Sequence, residues 1–508
     1  MKRITYWLLI FLLLASCKSH KSLTNKQFTE NAKKQEYVLQ KHQFRAAWFP
    51  NAWRSEYQGK SAEEIQRSLI KRLDLLRSAG FNAVVFQIRS EADAWYQSPL
   101  EPWSRTLTGT QGQAPVPFWD PLSFMIAECH KRGMELHAWV NPYRASTNTG
   151  NILSPKHPFH RHPEWFFVYG TQLYFNPALE EVRAYLCKVV GDIVERYDVD
   201  AIHMDDYFYP YPIAGIPLPD FQDYTRAPRG FSNISDWRRD NVSQLIHDLH
   251  DTIKGRKPYV QFGISPFGIW RNAKIDPHGS ATNGLQNYDD LYADILLWDA
   301  CGWIDYIVPQ LYWEIGHKTA EYTELARWWS THITQSHYYI GESVEKMMDK
   351  SEMHTKAIIS NQVARGVVLW PADLIFSDYK GVTSQLQTAY WTKPALIPPT
   401  PYPQDLQIIN EPQRETSIVR HNGQLTLFWE PDMEYPEGQE TKYFVIYLHK
   451  KGEKPSKATR AENLLAFRQT PFYELPYTDG KHSVAFTVTR INRYNQEILV
   501  AHDIRTKL

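Results

Sequence analysis

Between residues 44 and 391, short runs rich in β-branched and aromatic residues alternate with amphipathic helical patterns, and no other feature restricts the fold as much. Eight runs are predicted as strands: Phe44–Phe49, Phe81–Ile88, Met134–Val140, Ala201–Met204, Tyr259–Ser265, Ile304–Leu311, Tyr338–Ile340 and Gly366–Trp370. The stretch between the first two shows why the intervening segments read as helices. Ser61 and Glu64 form a capping box. Ile65, Leu69, Leu73 and Leu76 recur at helical spacing. Gly80 supplies a stop before Phe81 opens the next strand. Lys131-Arg132-Gly133-Met134 repeats the device. Eight β-then-α units predict an α/β chain, a (β/α)8 TIM barrel over residues 41–393 with enlarged loops. A doubly wound open sheet is the alternative, but no glycine-rich phosphate loop follows any strand.

The pattern changes at both ends. Residues 394–405 (PALIPPTPYPQD) are a Pro-rich linker, and residues 406–508 carry strands without helices. Gln424–Trp429 and Tyr443–Tyr447 alternate, and Ser483–Val488 follows. A Trp in an early strand and a Tyr-rich middle strand resemble a fibronectin type III domain. That implies a small all-β sandwich, more a spacer or packing partner than a sugar binder. At the other end, Lys2 and Arg3 precede the apolar run Ile4–Leu14, too short to span a membrane comfortably. It ends in Leu14-Ala15-Ser16-Cys17, which resembles the lipobox of bacterial lipoproteins and implies a signal peptide over residues 1–17 with lipid on Cys17. A plain secretory peptide is the alternative. Residues 18–40 are polar, lack Gly and Pro, and read as a tether. No acidic cluster follows Cys17, so the expected location is the cell envelope, lipid-anchored in the outer membrane and facing the periplasm. Cys129, Cys187 and Cys301 cannot all pair within one chain and are expected as buried free thiols. Lys+Arg and Asp+Glu are both 56, a balance that argues against nucleic acid as the main partner.

In a barrel of this kind, chemistry sits at the C-terminal ends of the strands. The second run ends in Arg89, with Asp93 soon after. The third ends in His137, Trp139, Asn141, Tyr143 and Arg144, and the fourth in His203, Asp205, Asp206 and Tyr207. The fifth leads to Trp270, and the sixth to Gln310, Tyr312, Trp313 and Glu314. The seventh ends at Glu342 and the eighth at Trp370. A core built only for stability would not gather Arg, Asn, Asp, Gln and Glu on one rim. Alternation sorts the fourth strand: Ile202 and Met204 face the helices, so His203 and Asp205 face the interior with Asp205 at the mouth. Asp206 begins the loop, where its alternative role is to cap or ion-pair. Two adjacent, partly buried carboxylates raise each other's pKa. Glycoside cleavage needs two carboxyl groups in different states.

Six segments in order carry a resemblance to the glycosyl-hydrolase-like family 10. They are Phe44–Trp48, Pro121–Glu128, Lys131–Arg144, His203–Pro210, Ser265–Arg271 and Pro309–Glu314, within a match spanning roughly residues 45–391. The resemblance implies a (β/α)8 barrel, often carried by lipoproteins, with an acidic residue at the end of the fourth strand that maps to Asp205 or Asp206. It also implies a polysaccharide substrate. The best-understood members are similar to peptidoglycan glycosidases acting on glycan strands that lack stem peptides. Glu342 stands where a less acidic residue is expected. On this reading Asp205 acts at the anomeric centre as nucleophile or as base for water, and Glu314 or Asp206 protonates the leaving oxygen. Arg89, Asn141, Arg144, His203, Gln310 and Tyr312 would hold sugar hydroxyls or an N-acetyl group, with Trp139, Trp270, Trp313 and Trp370 as stacking surfaces. Two alternatives stay open. One is a non-catalytic glycan-binding lipoprotein. The other is a metal-dependent deacetylase or amidase with His137, His203 and Asp205 as ligands. No compact metal-ligand spacing appears, and no cofactor is expected.

Overall fold

A computed structural model describes residues 23–400, 412–422, 424–475 and 483–507. Eight parallel strands close into a barrel: β1 (Phe44–Phe49), β2 (Ala83–Arg89), β3 (Glu135–Val140), β4 (Ala201–Met204), β5 (Gln261–Ile264), β6 (Tyr306–Ile307), β7 (His337–Tyr338 continuing as Ile340–Ser343) and β8 (Gly366–Trp370). The first piece of β7 pairs with β6, the second pairs with β8, and β8 pairs with β1, which leaves no free edge. The expected run Ile304–Leu311 shrinks to two residues of strand because Pro309 has no N–H to donate to the ladder.

The helices pack outside as the periodicity predicts. Ala62–Ser78 begins at the reciprocal Ser61–Glu64 capping box and buries Ile65, Leu69, Leu73 and Leu76. Pro121–Lys131 is capped by the Asp120 side chain. Ile202 and Met204 lie in the apolar layer between strands and helices. The barrel interior holds Phe44, Ala46, Trp48, Ala83, Val85, Trp139, Tyr306, Val308, Tyr339 and Val368. The tether expected over residues 18–40 is not all tether. Thr24 and Gln27 form a capping box that starts helix Asn25–Ala32. That helix is fastened to the barrel by bonds from Asn25 to Glu324 and between Thr29 and Thr323.

The C-terminal region forms two antiparallel sheets, one of Thr416–His421, Gln424–Trp429 and Phe472–Glu474, the other of Leu464–Arg468, Thr441–Lys450, Ser483–Asn492 and Glu497–Lys507. This all-β domain packs against the end of the barrel where the strands begin. Leu396 joins Tyr443, Val445, Tyr447, Leu464, Phe467 and Ile491 in one apolar cluster. Lys442 reaches into the barrel floor, bonding Glu135 at 2.5 Å and Asp200 at 2.8 Å. The lipobox, Cys17 and residues 401–411, which include the end of the Pro-rich linker, lie outside the described residues. Cys129 is a buried free thiol as expected; Cys187 is half-buried and Cys301 is exposed at the end of helix Ile295–Ala300, where no core covers it. Among the described residues no helix is long and apolar enough to cross a membrane.

Candidate active site

A pocket of about 370 Å³ sits at the C-terminal mouth of the barrel. Each barrel strand except β7 supplies lining residues from its end: Trp48 from β1, Gln87 from β2, Trp139 from β3, Asp205 and Asp206 after β4, Ser265 after β5, Gln310 and Tyr312 after β6, and Trp370 from β8. Asp205 and Asp206 are the acidic residues among those that line it.

Their surroundings differ. Asp205 is buried and accepts hydrogen bonds from the Asn141 amide, from Trp139 Nε1 at 3.2 Å and from the Tyr207 backbone N–H at 3.3 Å. Burial raises its pKa, and the Arg144 charge and these three donors oppose the rise by stabilising the carboxylate. Asp206 accepts from the Tyr211 hydroxyl. Burial first, and then the neighbouring Asp205 charge, push its carboxyl up to about 7. Of two adjacent acids, one is supplied with donors that favour the anion and the other is poised to carry a proton near neutrality.

Arg144 lies between two rings, with its guanidinium 4.8 Å from the Trp53 ring centre and 5.3 Å from that of Tyr207. Its Nε donates to the Ser90 carbonyl. Trp53 is 67% exposed, so a broad aromatic face stands at the rim. Gln87 ties the parts together. Its Oε1 accepts from the backbone N–H groups of Asn51 and Ala52, and its Nε2 donates to Asn141 at 2.6 Å.

Trp139, Arg144, Asp205, Asp206, Tyr207, Gln310, Tyr312 and Trp370 therefore meet in one pocket, and Asn141 stands behind Asp205. The other expected residues do not line it. Glu342 points outward because its neighbour Gly341 fills the interior position, where a Cβ would sit 2.9 Å from the Trp48 ring. It is buried against Lys356 at 3.3 Å and accepts from Tyr322. Glu314 lies in the loop beyond β6 and pairs with Lys350 at 3.2 Å. Arg89 is turned away by an irregularity in the β2–β3 register after Gln87, and pairs with buried Glu101 at 2.6 Å. Asp93 accepts from Gln111 in a separate buried cluster, where burial and Glu91 push its carboxyl up to about 6. Tyr143 is buried outside the pocket lining, Trp270 stacks on Trp328, and Trp313 packs on Phe267. His137 and His203 both turn Nδ1 to the Tyr306 hydroxyl below the pocket. They are thus not presented with Asp205 to one point, as the deacetylase alternative needs.

Trp48, Trp53, Arg54, Gln87 and Ser265 line the pocket without having been singled out. The signal was available for Trp53, Arg54 and Gln87. Residues following β1 obey the same strand-end rule as those following β3, and alternation on β2 points Gln87 inward with Val85.

The glycosyl hydrolase-like 10 family model matches residues 43–357. A glycosyl hydrolase of Bacillus subtilis, YngK, is 42% identical over 428 residues, covering 80% of this chain and 82% of that protein. The glycosyl hydrolase DigH of Escherichia coli K12 is 36% identical over 375 residues, covering 69% of this chain and 85% of that protein. Among solved structures, the PgaB glycoside hydrolase domain of Bordetella bronchiseptica aligns with a TM-score of 0.45 at 9% identity, covering 69% of this chain and 99% of that one.

Proposed function

Because the chain belongs to the glycosyl hydrolase-like 10 family and is a glycosidase, we propose that it cleaves polysaccharide of the bacterial envelope, specifically peptidoglycan glycan strands, with Asp205 and Asp206 as the reacting pair. One observation carries this reading: two adjacent carboxyls line the pocket in unequal surroundings, Asp205 accepting three N–H hydrogen bonds that counter the rise burial imposes on it, and Asp206, beside the Asp205 charge, pushed up to about 7. Asp206, with a pKa near neutrality, protonates the glycosidic oxygen as the bond breaks. Asp205 stays anionic among its N–H donors and acts at the anomeric carbon, directly or through a water. Trp139, Trp370 and Trp53 offer apolar faces to pyranose C–H groups, and Arg144, Gln87 and Gln310 offer polar atoms to hydroxyl and N-acetyl groups.

The lipobox-like segment ending in Cys17 supports attachment to the envelope by a lipid on that cysteine, in the outer membrane facing the periplasm. The three-plus-four strand arrangement of the C-terminal sheets supports a fibronectin type III-like domain. The test is to incubate residues 18–508 with peptide-stripped peptidoglycan strands and a panel of other polysaccharides, and to read released fragments by mass spectrometry. New reducing ends that disappear with Asp205→Asn are expected. Measurable binding without fragments from any polymer would instead favour the glycan-binding alternative.

A further inference from the structure

Beneath the pocket the barrel axis carries a continuous row of hydrogen-bonded side chains. Lys442 Nζ lies 2.5 Å from Glu135 Oε1, and Asn495 donates to the same oxygen. Glu135 Oε2 lies 2.8 Å from His137 Nε2, and His137 Nδ1 lies 2.7 Å from the Tyr306 hydroxyl. That hydroxyl lies 3.0 Å from His203 Nδ1. His203 Nε2 then meets Ser265 Oγ at 2.9 Å and Trp48 Nε1 at 3.2 Å, and Ser265 and Trp48 both line the pocket. The row is built in. Gly263 is the residue that lets Tyr306 cross the barrel, since a Cβ there would lie 1.9 Å from the phenol ring.

The direction of the row follows from its two ends. An indole N–H only donates, so Trp48 requires a lone pair on His203 Nε2. The proton of His203 is then on Nδ1 and is given to the Tyr306 oxygen. Tyr306 in turn gives its proton to His137 Nδ1, and His137 gives its Nε2 proton to Glu135. A carboxylate only accepts, so the lower end agrees. Burial pushes the Glu135 carboxyl up, but Lys442 together with His137 more than offsets it and holds the group below the usual carboxylate range. Burial, followed by the nearby His137, holds the His203 pKa far down, which keeps that ring neutral.

We propose that Lys442, delivered by the C-terminal domain, is a positioning residue for the glycosidase site: it fixes the direction of this row, so that Ser265 donates its proton inward to His203 and presents its oxygen lone pairs to a sugar hydroxyl. Without the lysine charge, Glu135 takes one proton from solvent and the balance of charge is restored. Its O–H then donates to His137 Nε2, His137 Nδ1–H to Tyr306, and Tyr306 O–H to His203 Nδ1. His203 is left with a proton on Nε2, facing the Trp48 N–H, and Ser265 must accept where it had donated.

The test uses the whole chain labelled with 15N-histidine, in which nitrogen shifts and couplings report each tautomer. The wild type is expected to carry Nδ1–H on His203 and Nε2–H on His137; the reverse pattern would overturn the proposal outright. In Lys442→Met, His203 is expected to switch to Nε2–H and turnover to fall about tenfold or more, with Lys442→Arg restoring both. A folded Lys442→Met protein that keeps the wild-type tautomers, or that turns over within twofold of wild type, refutes it. Should that variant not fold, Tyr306→Phe cuts the row inside the barrel and leaves the domain contact intact; wild-type turnover there also refutes it. The activity arm rests on the glycosidase reading, whereas the tautomers are read without substrate. A wild type that releases no fragments therefore counts against the proposed substrate and not against the row.

Discussion

At the residue scale, Asp206 governs how the molecule should respond to pH. In the proposed roles, its carboxyl must be protonated to act as an acid, and Asp205 must be ionised to act at carbon. The pH profile of kcat/KM is therefore expected to fall as pH rises through about 7 and to fall again on the acid side. Replacing Asp206 with Asn should remove the alkaline limb together with most of the activity. Stability should move the other way. A carboxyl whose folded pKa is raised contributes stability that is complete below the unfolded value and lost as pH rises through the folded one. Asp206→Asn is thus expected to leave Tm unchanged near pH 4 and to raise it by about 2–4 °C at pH 8. Equal shifts at both pH values would show that Asp206 is not buried with a raised pKa. Strand alternation made Asp205 and His203 legible in the sequence, because the large apolar residues of β4, Ile202 and Met204, share one face. It did not sort Glu342, since Gly341 leaves the seventh strand without a side chain to mark the inner face. Glu342→Gln should accordingly lower stability, by less than the about 3–5 kcal/mol of a fully orphaned buried charge, because Lys356 loses its nearer partner at 3.3 Å but keeps Glu352 at 3.8 Å. Its kcat per folded molecule should stay at wild type, and a large kcat loss would return Glu342 to the site.

At the scale of elements, the helix-and-strand alternation was readable because each helix announces its own start, as Ser61 with Glu64 does. The same grammar was present at Thr24 with Gln27, but the segment it opens is so polar that only its contacts with Thr323 and Glu324 give it a place. The loops were less legible. The loop after β1 puts Trp53 on the rim through a left-handed backbone turn at that residue, φ 55°, which no periodic pattern encodes. It is held by Gln87 from β2 and by the Arg54–Asp373 pair at 2.5 Å. On the proposed reading, a ring so placed would hold sugar and take no part in bond cleavage. Trp53→Ala should therefore raise KM about tenfold and leave kcat within twofold, read from initial rates on soluble glycan fragments. A fall in kcat with KM unchanged would mean that the ring acts on the transition state.

For the molecule as a whole, the sequence separated an α/β body from a β-rich end but said nothing of how they join, because the joining residues are remote in the chain. Lys442 and Glu135 stand 307 positions apart, and nothing in the local pattern of either names the other. Once joined, the two parts share a core. Phe467 packs over Gly133, where a Cβ would lie 3.1 Å from the Phe467 Cβ, and Arg77 lies 4.6 Å from the Phe467 ring centre. Lys442 neutralises two barrel carboxylates, Glu135 and Asp200. Unfolding of the β domain alone would expose this apolar cluster and strip both carboxylates of that cation. The barrel should not survive that loss for long, so the chain is expected to melt in one transition in calorimetry, with calorimetric and van't Hoff enthalpies in agreement. Phe467→Ala, which removes apolar contact worth about 3–5 kcal/mol, should shift the whole transition downward without splitting it. Two resolved transitions, with the barrel melting unchanged in the variant, would mean that the domains are neighbours and not one cooperative unit.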